Sequence, residues 1–164
     1  MQATILTQQL ELNHITEADA EFILALLNTK GWIEFIGDRN IHSSQDAVAY
    51  IQKILGMPNL TYWVVRLKEQ QIPVGIISFI KRSYLDHFDI GFAFLPEYNG
   101  NGYAFEAAEK VLAIALKDAA YSTILATTLP HNSSSIKLLN KLGLRFEKVI
   151  EIENELLHVY STEM

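Results

Sequence analysis

Between Phe92 and Ala104 the chain has little choice of local structure. An apolar stretch, Phe92-Ala93-Phe94-Leu95, passes through Pro96-Glu97-Tyr98-Asn99-Gly100-Asn101-Gly102 into Tyr103-Ala104. Pro96 fits the interior of neither a helix nor a strand. Beyond the glycines, Phe105, Ala108, Leu112 and Leu116 recur at helical spacing. The segment therefore predicts a strand, a glycine turn and the start of a helix. The first turn of a helix has backbone N–H groups without partners and carries the positive end of the macrodipole. Gly100 and Gly102 add no side chain that would hold a ligand away, so the turn suits an anion, and a pyrophosphate in particular. A dinucleotide fingerprint would need a third glycine where Phe105 stands, and no Gly-Lys-Ser/Thr follows to make a P-loop.

Asn99-Gly100-Asn101-Gly102-Tyr103-Ala104 resembles the Gln/Arg-x-x-Gly-x-Gly/Ala signature of the GNAT acetyltransferase superfamily, which holds the pyrophosphate of acetyl-coenzyme A. Asn99 replaces the usual Gln or Arg, and Asn101 stands in a loop where relatives often carry a basic residue. A second segment, Asn132-Ser133-Ser134-Ser135-Ile136-Lys137-Leu138-Leu139-Asn140-Lys141-Leu142-Gly143-Leu144, resembles the superfamily's Asn-x-x-Ser-x-x-Leu-x-x-Lys-x-Gly-Phe run. The likeness is to the branch resembling ribosomal-protein N-terminal (alanine/serine) acetyltransferases, and only the last position departs, as Leu144. Physical reasoning agrees with a helix here: Asn132 is a good N-cap, Ile136 and Leu139 begin an apolar face, and Gly143 is a good stop. Phe35-Ile36-Gly37-Asp38-Arg39 and Asp89-Ile90-Gly91-Phe92 extend the resemblance over nearly the whole chain.

A length of 164 residues, 49% apolar, suits a single domain, 1–164, with a real core. The net charge of −6 and the lack of a basic run argue against nucleic acid and mildly favour a cationic or amine-bearing substrate. Cysteine is absent, which removes disulfides, thiolate metal sites and a cysteinyl intermediate. His14, His42, His87, His131 and His158 show no metal-ligand spacing, so no metal is expected. No stretch approaches the ~20 apolar residues of a spanning helix, so a cytoplasmic location without membrane contact is expected.

Along the chain, Leu10, Leu12 and His14 alternate as a strand, and Thr16 opens a helix burying Phe22, Ile23, Leu26 and Leu27. A second helix runs from a cap at Ser43 or Ser44 to Gly56. Strands follow at Tyr62–Leu67, Ile72–Ile80 and Phe88–Leu95, then the helix to about Asp118, a strand at Thr123–Thr128, and the helix of the second motif. A hairpin of Arg145–Ile152 and Leu156–Tyr160 closes the chain. The expected class is α+β, a mixed and mostly antiparallel sheet flanked by helices. The resemblance implies that the fourth and fifth of these strands, Phe88–Leu95 and Thr123–Thr128, splay apart to admit the pantetheine arm beside Phe92, Ala93 and Phe94.

The resemblance further implies acetyl-coenzyme A as the acetyl donor and an amine as acceptor, with direct transfer between them. Asp89 occupies the position of a strand carboxylate that serves as general base in many relatives; equally, it is an inward carboxylate with a structural partner. The backbone N–H of Phe94 is the favoured oxyanion donor, because preorganised amides need no reorganisation. Ser135 matches a serine placed beside the sulfur in related enzymes, and it also suits a bond to backbone in the first helical turn. Asn99, Gly100, Asn101, Gly102, Tyr103, Ala104 and Asn132 are the further cofactor candidates. Lys141 and Arg145 fit either a cofactor phosphate or the negative end of their own helix, and His87 is a candidate proton relay near Asp89. Trp32, Phe35, Asp38 and Arg39 lie between the first two helices, where the superfamily shapes its acceptor pocket. Rival readings are a non-catalytic acyl-coenzyme A sensor, favoured by Asn99, Asn101, Gln9 and Asn13, and a transferase for a longer acyl group. The final hairpin offers an edge for a homodimer.

Overall fold

The computed structural model describes residues 1–163; Met164, the last residue of the expected domain, lies outside them. Strands β1 (Thr4–Leu6) and β2 (Leu10–His14) precede helices α1 (Ala20–Leu27), α2 (Lys30–Phe35) and α3 (Ser44–Leu55). Strands β3 (Leu60–Leu67), β4 (Pro73–Ile80) and β5 (Asp89–Phe94) lead into α4 (Tyr103–Lys117). The chain then runs through β6 (Leu125–Thr128), α5 (Ser133–Lys141), β7 (Arg145–Ile152) and β8 (Glu155–Ser161). The strands form one eight-stranded sheet in the order β1-β2-β3-β4-β5-β6-β8-β7. Every neighbouring pair is antiparallel except β5 and β6.

The helix ends obey local chemistry. Ser43 caps α3 by accepting from the Asp46 amide at 3.1 Å, and Asn132 caps α5 by accepting from the Ser135 amide at 3.2 Å. Gly143, at φ 95°, turns the chain out of α5 in the left-handed region. Two elements add to the expected order. β1 is too short for its alternation to register in sequence. α2 forms within what reads as a connection, because Thr29 accepts from the Trp32 amide at 3.2 Å and Trp32 is buried beneath it.

Alternation along the central strands divides the core between two faces. Trp63, Val65, Ile77 and Phe79 pack with Val111, Leu112 and Ala115 of α4 on one face. Val64 and Ile76 pack with Ile23, Leu26 and Ile51 of α1 and α3 on the other. Asp19, itself buried, pairs with Arg66 and ties the start of α1 to β3.

The sheet opens between β5 and β6. They share a single paired position, Asp89 with Leu125, and the Leu125 amide donates to the Phe88 carbonyl at 2.9 Å. On its other side β6 pairs fully with β8, from Leu125 opposite Ser161 to Thr128 opposite His158. Because the Leu95 amide donates to the Val74 carbonyl at 2.9 Å, the antiparallel phase turns the N–H and C=O groups of Phe92 and Phe94 away from β4 and into the opening. The rings of Phe92 and Phe94 pack on the α4 side, whereas Ala93 packs on the α1 and α3 side.

Candidate active site

A cleft of about 1000 Å³ lies over this opening. Its floor is a row of registered residues, Tyr62 on β3, Ser78 on β4 and Gly91 on β5. Gly91 lets the Ser78 hydroxyl lie over β5: a Cβ there would stand 2.6 Å from the Ser78 Oγ, which would have to turn away. Gly75 has a matching role on the opposite face, where a Cβ would lie 2.4 Å from the Phe94 ring. The absence of a side chain at Gly75 therefore lets Phe94 lie flat across β4 and fixes the strand whose amide faces the opening.

At one end the cleft meets the turn before α4. Pro96–Tyr98 form a single 3-10 turn, and Gly100 (φ 85°) and Gly102 (φ 77°) adopt the left-handed conformation. Gly102 occupies the N-cap position, so no side chain caps the first amides of α4. The directions in which Cβ atoms would project from Gly100 and Gly102 are open, with nothing within 4 Å. Asn101 closes the turn on itself, donating to the Tyr98 carbonyl at 3.1 Å. Asn99 and Ala104 line the cleft, whereas Gly100, Asn101, Gly102 and Tyr103 are not part of its lining, and Tyr103 faces a separate small pocket with Gln9 and Lys68. Behind the turn, Glu106 accepts from the Gln9 amide at 2.9 Å, from the Gln9 side chain at 2.8 Å and from the Thr7 hydroxyl. Partial burial works against its ionisation, but these bonds prevail and hold its carboxyl below the usual range.

Asn132 and Ser135, at the start of α5, also line the cleft. The Asn132 cap engages the amide of Ser135 and not its hydroxyl. Lys141 and Arg145 stand outside. The Lys141 ammonium lies 4.3 Å from the centre of the Phe105 ring, beside the first turn of α4, and Arg145 donates to the Asn140 carbonyl at 3.2 Å as a helix-end cation.

The other end is built from side chains. Asp89 is 2% exposed and accepts from the Arg82 Nε at 2.7 Å. Burial pushes its carboxyl above the ordinary Asp range, and the Arg82 guanidinium pulls back part of that rise. Asp89 thus has the structural partner that one of its two readings expected, and it also faces the cleft. Trp32, Phe35 and Arg39 form a wall, and the Phe35 ring meets the His131 ring at 5.3 Å between centroids. Asp38 is not part of that wall; its carboxylate turns back to accept from the Asn40 amide at 2.8 Å. His87 does not line the cleft either. Tyr62, Ser78, Arg82, Glu153 and Glu155 line it without any sequence signal, because only strand pairing and the closing hairpin bring them there. Among the described residues, no three His, Asp or Glu side chains come together to hold a metal.

A split sheet with an uncapped helix start at its mouth matches what the two motifs imply, and the sequence pattern of the acetyltransferase (GNAT) domain covers residues 9–145. The chain belongs to the GNAT acetyltransferase family. This GNAT chain is 28% identical over 155 residues to the uncharacterized N-acetyltransferase YnaD of Bacillus subtilis, covering 92% of this chain and 90% of that one. A GNAT-family acetyltransferase of known structure from Bacillus anthracis is 26% identical, with a TM-score of 0.81 and 96% of each chain covered. The ribosomal L7/L12 N-terminal acetyltransferase RimL, solved with coenzyme A, shares the fold at a TM-score of 0.82 and 12% identity, over 96% of this chain and 95% of that one.

Proposed function

We propose that this GNAT chain, acting as a single domain, moves the acetyl group of acetyl-coenzyme A directly onto a primary amine. The observation that carries the reading is the pairing of an uncapped α4 start with main-chain groups left free along β5. Buried peptide groups do not stay unpaired without a partner, and an extended molecule with amides in its middle and phosphates at one end would satisfy both. The first-turn amides of α4 and the open sides of Gly100 and Gly102 would receive the pyrophosphate. Phe92, Ala93, Phe94 and Asn132 would flank the pantetheine arm, and Lys141 stands close enough to the α4 start to meet a phosphate there.

Bound acetyl-coenzyme A supplies the activated carbonyl and a thiolate leaving group. Asp89 takes the proton from the acceptor's ammonium, directly or through water, as its burial-raised basicity favours. The Phe94 N–H stabilises the oxyanion that develops as the C–N bond forms. Ser135, or a water beside it, returns a proton to sulfur as the C–S bond breaks. Fluorimetric detection of free thiol over a broad panel of amines tests the reading. Turnover with at least one primary amine is the expected result; tight coenzyme A binding with no turnover on any amine would favour the sensor reading instead.

A further inference from the structure

Resting on that reading of the cleft, we propose that the acceptor carries an anionic group besides its amine, with the anion seated by Arg39 and Lys30 and the ammonium attracted by Glu153 and Glu155 on its way to Asp89. The chain as a whole is acidic, at −6, so a cation-lined wall is not what its composition leads one to expect. The charged residues facing the cleft are Lys30, Arg39, Arg82, Asp89, Glu153 and Glu155. Arg82 and Asp89 satisfy one another at 2.7 Å. The other four have no ion-pair partner among the described residues. They are also sorted by sign: of the charges on α2 and the loop after it, the cationic Lys30 and Arg39 line the cleft while Glu34 and Asp38 do not, and the charges that the β7–β8 tip adds to the lining are the anionic Glu153 and Glu155.

Arg39 reaches back over the chain: Gly37 takes φ 122°, and the Arg39 Nη1 lies 3.0 Å from where a Cβ of Gly37 would stand. Its side chain is exposed at the cleft wall. Its charge reaches the floor. Burial raises the Tyr62 phenol far above its ordinary range, and the guanidiniums of Arg82 and Arg39 both pull against that rise. The hairpin tip is fixed by consecutive left-handed residues Glu153 (φ 51°) and Asn154 (φ 65°) that form a tight turn. Two separated patches of opposite sign in one cleft discriminate by complementarity. A ligand with a single charge leaves one patch unpaired, whereas a doubly charged ligand satisfies both. An amino acid or an amine bearing a phosphate has this chemistry; a polyamine does not.

The test compares matched acceptors by thiol release: alanine against alaninamide for a carboxylate, and 2-aminoethyl phosphate against ethanolamine for a phosphate. At least one anionic member is expected to exceed its uncharged partner about tenfold or more in kcat/KM, mainly through KM. The pair that shows the larger ratio identifies the anion. Arg39→Gln is expected to collapse that ratio by about tenfold and Arg39→Lys to retain part of it, since a lysine keeps charge but loses the planar fork. Equal or better turnover of both uncharged partners, or a ratio that Arg39→Gln leaves untouched, overturns the proposal while leaving acetyl transfer standing. The rise in Tm that each acceptor gives the coenzyme A-loaded protein provides a readout without chemistry. Selective stabilisation by an anionic acceptor in the absence of turnover would sustain this inference and sink the proposed reaction; no selectivity in either measurement sinks the inference.

Discussion

The two ends of the cleft are built from different material. The end at α4 is main chain: glycines at positive φ, uncapped amides and the free edge of β5, drawn mostly from the single run Asp89 to Ala104. The end at Asp89 is side chain, gathered from Lys30 and Arg39, from Tyr62 and Ser78, and from Glu153 and Glu155 near the other end of the sequence. A backbone site depends on the order of glycines and tolerates exchanges beside them; under the proposed function, Asn99 and Asn101 are exchanges of that kind. A side-chain site changes its preference with each substitution. A family can therefore share a donor while differing in acceptors.

Substitutions that act on one end alone would break or sharpen this contrast. Asp89→Asn has the largest expected effect, a fall in kcat on the order of 10²–10⁴-fold, the usual contribution of a general base. Calorimetry with coenzyme A is expected to show unchanged affinity in the same variant, and a parallel loss of both would mean that the two ends are not separable. Gly102→Val acts in the reverse sense. Forcing a β-branched residue into the left-handed region costs about 1–2 kcal/mol, and coenzyme A affinity is expected to fall roughly tenfold while the ranking of acceptors persists.

Gly75→Ala probes the joint between the ends. A methyl group 2.4 Å from the Phe94 ring must displace it, and a stability loss of about 1–3 kcal/mol is expected from urea denaturation, as for an overpacked core. The smallest effect lies in the pH profile. Since burial lifts the Asp89 carboxyl above its reference value of 3.8, the proposed base is ionised only above that raised pKa. The acid limb of kcat/KM is accordingly expected to rise with pH through a value above the ordinary Asp range, and to vanish in Asp89→Asn. A limb at or below the ordinary value would mean that another group, or water alone, removes the proton.

Sequence reading served the two ends unequally for the same reason. The strand, turn and helix from Phe92 to Ala104 are encoded contiguously, as are the caps at Ser43 and Asn132, and these elements form where the local chemistry places them. Trp32, Phe35 and Arg39 were singled out from the sequence and do line the cleft, although the helix that carries the first two was not legible, because six residues hold too few turns for a period to emerge. Asp38, beside them, faces away. Arg82, Tyr62 and Ser78 had no local mark. Their position is a matter of register between β3, β4 and β5, and register is decided by the whole sheet.

The family pattern ends at residue 145, where β7 begins. Yet the hairpin that follows braces β6 from the side away from the opening and brings Glu153 and Glu155 to the cleft. The seventeen residues from Arg145 to Ser161 thus lie almost wholly beyond the family pattern and join the sheet through the pairing of β8 with β6. Because it carries Glu153 and Glu155, exchanging that hairpin between relatives is expected to shift the ranking of acceptors more than the affinity for coenzyme A.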